Sequence, residues 1–196
     1  MGEIKSALEL ALEKTADIKS DKEGAELREW SNKGKKAAGE FMDTGDTSAL
    51  ADSIAEARGS ARKAASEGAI TNLLAALRLP QAEADIDRAH RIGAGLDALL
   101  PGSGMTELFG QVASLFGQYR ADRERTEKAI EQQFMPRLKA KQQELAKRYG
   151  QNIPLDPRQE PEYMNTLSRA LRGLEQQYEG VIAEVRTRIR EAAEIE

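Results

Sequence analysis

"LSRALRGLEQQYEGVIAEVRTRIREA", residues 167–192, has the most regular apolar spacing in the chain. Its apolar residues follow one another in steps of four and three: Leu167, Leu171, Leu174, Tyr178, Ile182, Val185, Ile189 and Ala192. Such steps keep one stripe of a helix turned toward a neighbour. The additional four-residue step between Tyr178 and Ile182 is a stutter in this pattern. The stretch therefore predicts a long amphipathic helix packed on a second helix.

A proline-rich segment, "RYGQNIPLDPRQEPEY" at 148–163, precedes this helix. Before that segment, apolar spacing from Leu108 to Tyr149 predicts another long helix, and Pro136 should kink it because proline removes a backbone donor. Two long helices joined by a short loop pack as an antiparallel hairpin. We expect residues 101–196 to form a kinked, coiled-coil-like hairpin, with residues 151–160 at an exposed tip that contributes little to folding.

The first hundred residues carry shorter helical patterns, and we expect about three to four helices there. An amphipathic stripe begins at Ile4 and reaches Ile18. The sequence "SDKE" at 20–23 has the form of a capping box, which can start a new helix. The sequence leaves open whether residues 1–45 form one helix or two.

Two further patterns complete the N-terminal region. Apolar and small residues run from Leu50 to Leu77, and the small residues predict a helix that approaches its neighbour closely, at about 8 Å. Another helix is predicted from Gln81 to Leu100. We expect an N-terminal region over 1–100 and the hairpin over 101–196, with one continuous domain as the alternative.

The composition fits an all-α helical bundle. Of the 196 residues, 40% are hydrophobic and only 5% aromatic, and no run of alternating β-branched residues predicts a strand. The absence of cysteine excludes disulfides and thiolate chemistry. No segment is apolar enough to predict a membrane span, and a net charge of −4 provides no overall basic footprint for nucleic acid. The default expectation is a cytoplasmic protein.

Catalytic and metal sites find little support in the sequence. His90 is the only histidine, and Asp87 lies three residues before it, a spacing that metal-binding bundles use in pairs. The second histidine of such a pair is missing, so we predict no metal site. The glycine-rich segment at 92–110 lacks the spacing of a phosphate-binding loop, and no nucleophile turn is present. We expect no enzyme activity and no cofactor.

The basic stretch "RLKAKQQELAKRYG" at 137–150 and the "PLDP" segment after it are candidate binding elements. Cations near a helix C-terminus offset the helix dipole, but clustered cations also suit nucleic acid. A Pro-x-x-Pro segment can dock in an aromatic groove, although stiffening of the loop also explains it. The candidate partner-binding residues are Arg137, Lys139, Lys141, Lys147, Arg148, Pro154, Pro157 and Arg158.

The opening run "EIKSALELALEKT" resembles the start of an uncharacterised family of helical bacterial proteins. The resemblance covers about the first twenty residues and implies a bacterial source but no activity. By fold analogy alone, the helical patterns favour a non-enzymatic interaction protein, a scaffold or adaptor that self-associates or binds another protein through helix faces or the hairpin tip. The alternative is a nucleic-acid- or ribosome-associated factor that uses residues 137–148, and a metal-dependent enzyme is a weaker third.

Overall fold

The computed structural model describes the backbone of residues 7–151 and 154–195 and the side chains of residues 22–151 and 154–195. Within these residues the chain has no strand, and its helices are α1 (Ala7–Thr44), α2 (Thr47–Ala55), α3 (Gly59–Ala76), α4 (Ala84–Leu99), α5 (Met105–Tyr149) and α6 (Pro161–Ala192). A short 3₁₀ turn, Pro157–Gln159, precedes α6. The predicted all-α bundle is confirmed. The predicted stripe from Ile4 to Ile18 lies outside the described side chains.

Helix α1 is continuous through Ser20, so the single-helix alternative is the correct one. It ends at Gly45, whose φ of +78° only glycine adopts without strain and whose N–H donates to the Phe41 carbonyl over 2.7 Å. The Asp46 carboxylate then begins α2 by accepting hydrogen bonds from the backbone N–H groups of Ser48 and Ala49, each at 3.0 Å.

The prediction of one helix from Leu50 to Leu77 was wrong, because the chain breaks between α2 and α3. Arg58 is extended, with φ −131° and ψ 153°, and Gly59 follows with φ +56°. A left-handed residue cannot continue a right-handed helix, and glycine adopts that conformation at low cost. Ala57, in the break, is buried all the same, so the apolar pattern continues while the helix does not.

The chain folds into two compact units, each built from segments that are distant in sequence. The first unit combines the chain up to residue 77 with residues 90–109 and the chain from residue 190. The second unit combines residues 78–89 with residues 110–189. The predicted boundary at residue 100 stays a prediction.

In the first unit, α1 and α3 touch backbone to backbone. A methyl group at Gly34 of α1 would overlap the carbonyl of Ala65, and a methyl group at Gly68 of α3 would overlap the carbonyl of Ser31. The two helices therefore use one glycine each at the crossing, as the small residues in the sequence predicted. Asn72 reinforces the pair, since its side-chain amide donates to the Lys35 carbonyl over 2.8 Å.

The rest of this unit packs α4 against α1 and the first residues of α5. A methyl group at Gly95 would press on the ring of Phe41, and one at Gly93 would overlap the side chain of Phe109. The Arg91 guanidinium donates to the Met42 carbonyl over 2.6 Å and ties α4 to the end of α1. Gly93 and Gly95 thus permit close helix packing, whereas a methyl group at Gly110 or Gly117 would meet nothing within 4 Å.

Helix α4 begins at Ala84 rather than at the predicted Gln81. The Asp85 carboxylate accepts hydrogen bonds from the backbone N–H groups of Ala82 and Gln81, at 3.0 and 2.9 Å. These bonds hold the pKa of Asp85 below its ordinary value, and they give partners to two backbone donors in the turn before α4.

The close crossing makes Gly34 a sensitive position. Gly34→Ala should lower the free energy of unfolding by about 2 kcal/mol or more, because the Ala65 backbone cannot move aside without separating the helices. Gly24→Ala, also in α1, is the matched control: a methyl group there meets no atom within 4 Å and should raise stability by up to about 1 kcal/mol. Urea unfolding followed by circular dichroism measures both. Equal effects of the two substitutions would contradict the close crossing.

Candidate interaction surface

In the second unit, α5 and α6 form an antiparallel pair. The rings of Tyr119 and Tyr178 lie 5.2 Å apart between centroids, whereas farther along α5 the ring of Phe134 lies 5.6 Å from that of Tyr163. The contacts therefore move toward the C-terminus of α5 as they move toward the N-terminus of α6, which makes the two helices antiparallel. Pro136 lies inside α5, which continues to Tyr149; the kink predicted at this proline stays a prediction.

Aromatic and polar contacts stabilise the middle of the pair. The Tyr178 hydroxyl donates to the Asp122 carboxylate over 2.7 Å. Burial raises the pKa of Tyr178, and the hydrogen bond to Asp122 raises it further. Burial also raises the pKa values of Tyr119 and Tyr163, the tyrosines whose rings contact those of Tyr178 and Phe134, respectively, in the seam. All three phenols are therefore held neutral in the folded chain.

Near the loop the pair encloses a small apolar cluster. Its buried members are Ile130, Phe134, Leu138 and Tyr163, and Leu155, Leu167 and Ala170 pack around them. Leu155 belongs to the proline-rich connection, so this connection contributes to the packing and is less independent than the sequence indicated. Asp156 also shapes the connection by accepting from the Arg158 backbone N–H over 2.9 Å. Residues 152 and 153 of the predicted tip lie outside the described residues.

One side of the α5–α6 pair carries apolar side chains that remain exposed to solvent. Met135 and Met164 each follow a cluster residue, Phe134 and Tyr163, and one residue along a helix turns a side chain about 100° from the seam. Because the helices are antiparallel, the two turns carry both methionines to the same side. Their side chains are 37% and 40% exposed.

Two more apolar side chains share this side by helical spacing. Tyr149 lies four turns along α5 from Met135 and is 62% exposed, and half-buried Leu171 lies two turns along α6 from Met164. We call Met135, Tyr149, Met164 and Leu171 the open side.

The segment at 78–89 covers this same side of α5 at its other end. Pro80 and Gln81 form a groove of about 580 Å³ with α5 residues that include Gly117 and Glu124. Gly117 precedes Met135 by eighteen residues, which is five helical turns, so both point the same way. The cover stops near Glu127, the last α5 residue of the groove. Beyond that residue the same side of α5 bears Met135 and Tyr149.

The groove is charged but poorly suited to acid–base chemistry. Arg120 pairs with Glu83 at 3.3 Å, and Arg123 pairs with Glu127 at 3.1 Å. The hydrogen bond from Lys128 lowers the pKa of the Glu124 carboxyl, which favours the charged form. A general acid needs the opposite shift, so Glu124 is an ordinary surface carboxylate.

The predicted basic stretch is only partly free. Arg137 donates to Glu162 over 2.8 Å and Lys141 donates to Glu160 over 2.5 Å, so both cations bridge α5 to the start of α6. Lys139, Lys147 and Arg148 are exposed. Of the remaining predicted partner-binding residues, Pro154 and Arg158 are exposed and Pro157 is half-buried in the short 3₁₀ turn.

The metal-ligand residue types considered in the sequence form no cluster in the described part of the chain. His90 and Asp87 are both exposed on α4. Among the described residues, no group of three or more histidine, aspartate or glutamate side chains could hold a metal ion. No helix within 7–151 or 154–195 has the length and apolarity needed to cross a membrane.

Comparison with known proteins assigns a family. A family of unknown function, DUF6657, matches residues 51–191, from within α2 to near the end of α6. The chain belongs to this family. No curated protein and no solved structure matches the chain. The matched range includes the whole open side and lies after the N-terminal run that predicted an uncharacterised family; the bacterial source stays a prediction.

Sequence reasoning missed Met135 and Met164. The available signal was a pair of adjacent apolar residues, "FM" at 134–135 and "YM" at 163–164. An amphipathic helix can turn only one residue of such a pair toward a single neighbour. The second residue of each pair therefore points to a surface that the two-helix seam cannot bury.

The neutral phenols predict a loss of stability in alkali. Since folding raises the tyrosine pKa values, the unfolded chain loses these protons first, and the free energy of unfolding should fall above about pH 10. Tyr178→Phe should cost about 1 kcal/mol at neutral pH through the lost hydrogen bond, and should weaken the alkaline dependence. Urea unfolding at pH values from 8 to 11, a range that includes the ordinary tyrosine pKa, measures the alkaline loss of stability and the effect of Tyr178→Phe. An unchanged pH slope in Tyr178→Phe would contradict the prediction; Tyr149→Phe, outside the seam, is the control.

Proposed function

We propose that this protein is a non-enzymatic helical interaction protein, a scaffold or adaptor of the bacterial cytoplasm, that binds its partner through the open side. The observation that supports the proposal most is where apolar surface remains. Among the described residues, the large hydrophobic side chains that stay exposed are Met135, Tyr149, Met164 and Val181, and all four lie on α5 and α6. Three of them share the open side.

The chemistry of the open side suits a helix rather than a small molecule. Methionine is flexible and polarizable, so it adapts to an apolar partner surface. The surface is long and shallow, and its apolar residues recur at helical spacing on two parallel ridges. An amphipathic helix laid along such ridges can bury its apolar face there, as helix-in-groove recognition requires.

Charge pairing argues against the nucleic-acid alternative. Two of the five cations of the basic stretch already pair with Glu160 and Glu162 at the start of α6, and three have no such pair among the described residues: Lys139, Lys147 and Arg148. Binding that depends on phosphate contacts weakens roughly in proportion to the number of cations engaged when salt is added. Three unpaired cations would make few phosphate contacts, so they would contribute little to nucleic-acid affinity.

Site-specific photocrosslinking tests the proposal. A photoreactive amino acid at Met135 should form protein adducts in the cells that make this protein. The same residue at Val181 should not, although Val181 is 40% exposed, because it projects about 100° from Met164 around α6. Equal adducts at both positions, or none at Met135, would contradict the proposal. Nucleic-acid adducts released by salt and lost in Lys139→Glu would favour the alternative instead.

A further inference from the structure

We infer that the partner bound at the open side is a second copy of this chain. The two copies join through an isologous interface in which the α5 helices lie antiparallel, centred on Met135. The inference rests on the proposed function, because it takes the open side to be the binding surface. It adds the identity and the orientation of the partner.

The charges beside Met135 are self-complementary. Glu131 precedes it by four residues and Lys139 follows it by four, so the open side of α5 reads acidic, apolar, basic over two turns. In an antiparallel pair of such helices, Glu131 of each copy lies beside Lys139 of the other, which gives two equivalent ion pairs. A parallel pair would set like charges side by side. A two-fold axis near Met135 therefore satisfies both charges at once.

These two charges are available, unlike most of their neighbours. Glu131 and Lys139 are exposed, and neither has an ion-pair partner among the described residues. Along the same helix Lys128 is paired with Glu124 at 2.6 Å, and Arg137 and Lys141 are paired with α6. The two charges without an ion-pair partner among the described residues thus lie on the open side, on either side of Met135.

The size of the surface also fits a second copy. A two-fold axis at Met135 pairs residues 127–143 of the two α5 helices, a length of about 24 Å, and two adjacent helices are about 20 Å wide. These dimensions give about 480 Å² for each copy, the size of a weak interface whose dimer forms in a concentration-dependent way. Met164 and Leu171 supply the matching apolar ridge on α6, so two copies would complete a four-helix arrangement.

Charge reversal tests the orientation. Glu131→Lys and Lys139→Glu each bring like charges together and should raise the dimer Kd by about tenfold or more. The double variant on one chain should restore the Kd to within about threefold of the parent, because the two residues act as one pair. Glu184→Lys, an exposed control with the same charge change on the far side of α6, should leave it unchanged. Sedimentation velocity over a wide range of protein concentration measures each Kd, with circular dichroism to verify folding.

Cysteine crosslinking gives an independent readout, since the chain has no native cysteine. Met135→Cys should form a disulfide-linked dimer on mild oxidation, because a residue on the two-fold axis meets itself within the Cα separation of about 5.5 Å that a disulfide needs. Val181→Cys should not. Glu131→Cys alone should link poorly, since two such residues lie about 12 Å apart across the axis, but it should link with Lys139→Cys on the other copy.

The outcomes separate the two proposals. A protein that stays monomeric at all concentrations, with no Met135→Cys dimer, overturns the second copy. Adducts of a different protein at Met135 would then still support the interaction function, whereas no adduct at Met135 would end both proposals. A dimer that forms but shows no rescue in the double variant overturns the antiparallel arrangement.

Discussion

Two helices that pack on each other can each bury only one stripe, and this constraint determines the surface of the second unit. The seam between α5 and α6 holds Phe134, Tyr163 and Tyr178, and Leu155 of the connection packs on it. Apolar residues that adjoin the seam in sequence must then point elsewhere. Met135 and Met164 are exposed for this reason, and the segment at 78–89 ends before it reaches them.

The first unit solves a different packing problem with backbone instead of side chains. Gly34 and Gly68 bring α1 and α3 close enough for a Cβ to collide with the opposite carbonyl. Such a contact gains dispersion energy from many atom pairs at short range. It also leaves no exposed apolar ridge comparable with that of α5 and α6 among the described residues.

Charged residues in both units act mainly in surface pairs. Most ion pairs of the described residues join side chains three or four positions apart on one helix, where each contributes little to stability. The pairs of Arg137 and Lys141 with α6 differ, because they link the two ends of the loop and help to set the register of the antiparallel pair. Pairing also removes both cations from any cluster that could attract phosphate.

The sequence by itself determined the long helices and most of the buried stripe of α6, because a repeated spacing of three and four residues specifies a helix with one apolar stripe; Leu171, which the spacing placed in that stripe, lies on the open side. The sequence could not show the break at residues 56–58, where extended Arg58 and the left-handed Gly59 that starts α3 interrupt an apolar pattern that continues on both sides. Nor could it separate Arg137 and Lys141 from Lys139, since only the antiparallel packing brings Glu162 and Glu160 within reach of the first two. Tertiary structure alone decided which apolar residues stayed exposed, because exposure depends on the number of neighbours a helix acquires, and periodicity records only that it has at least one.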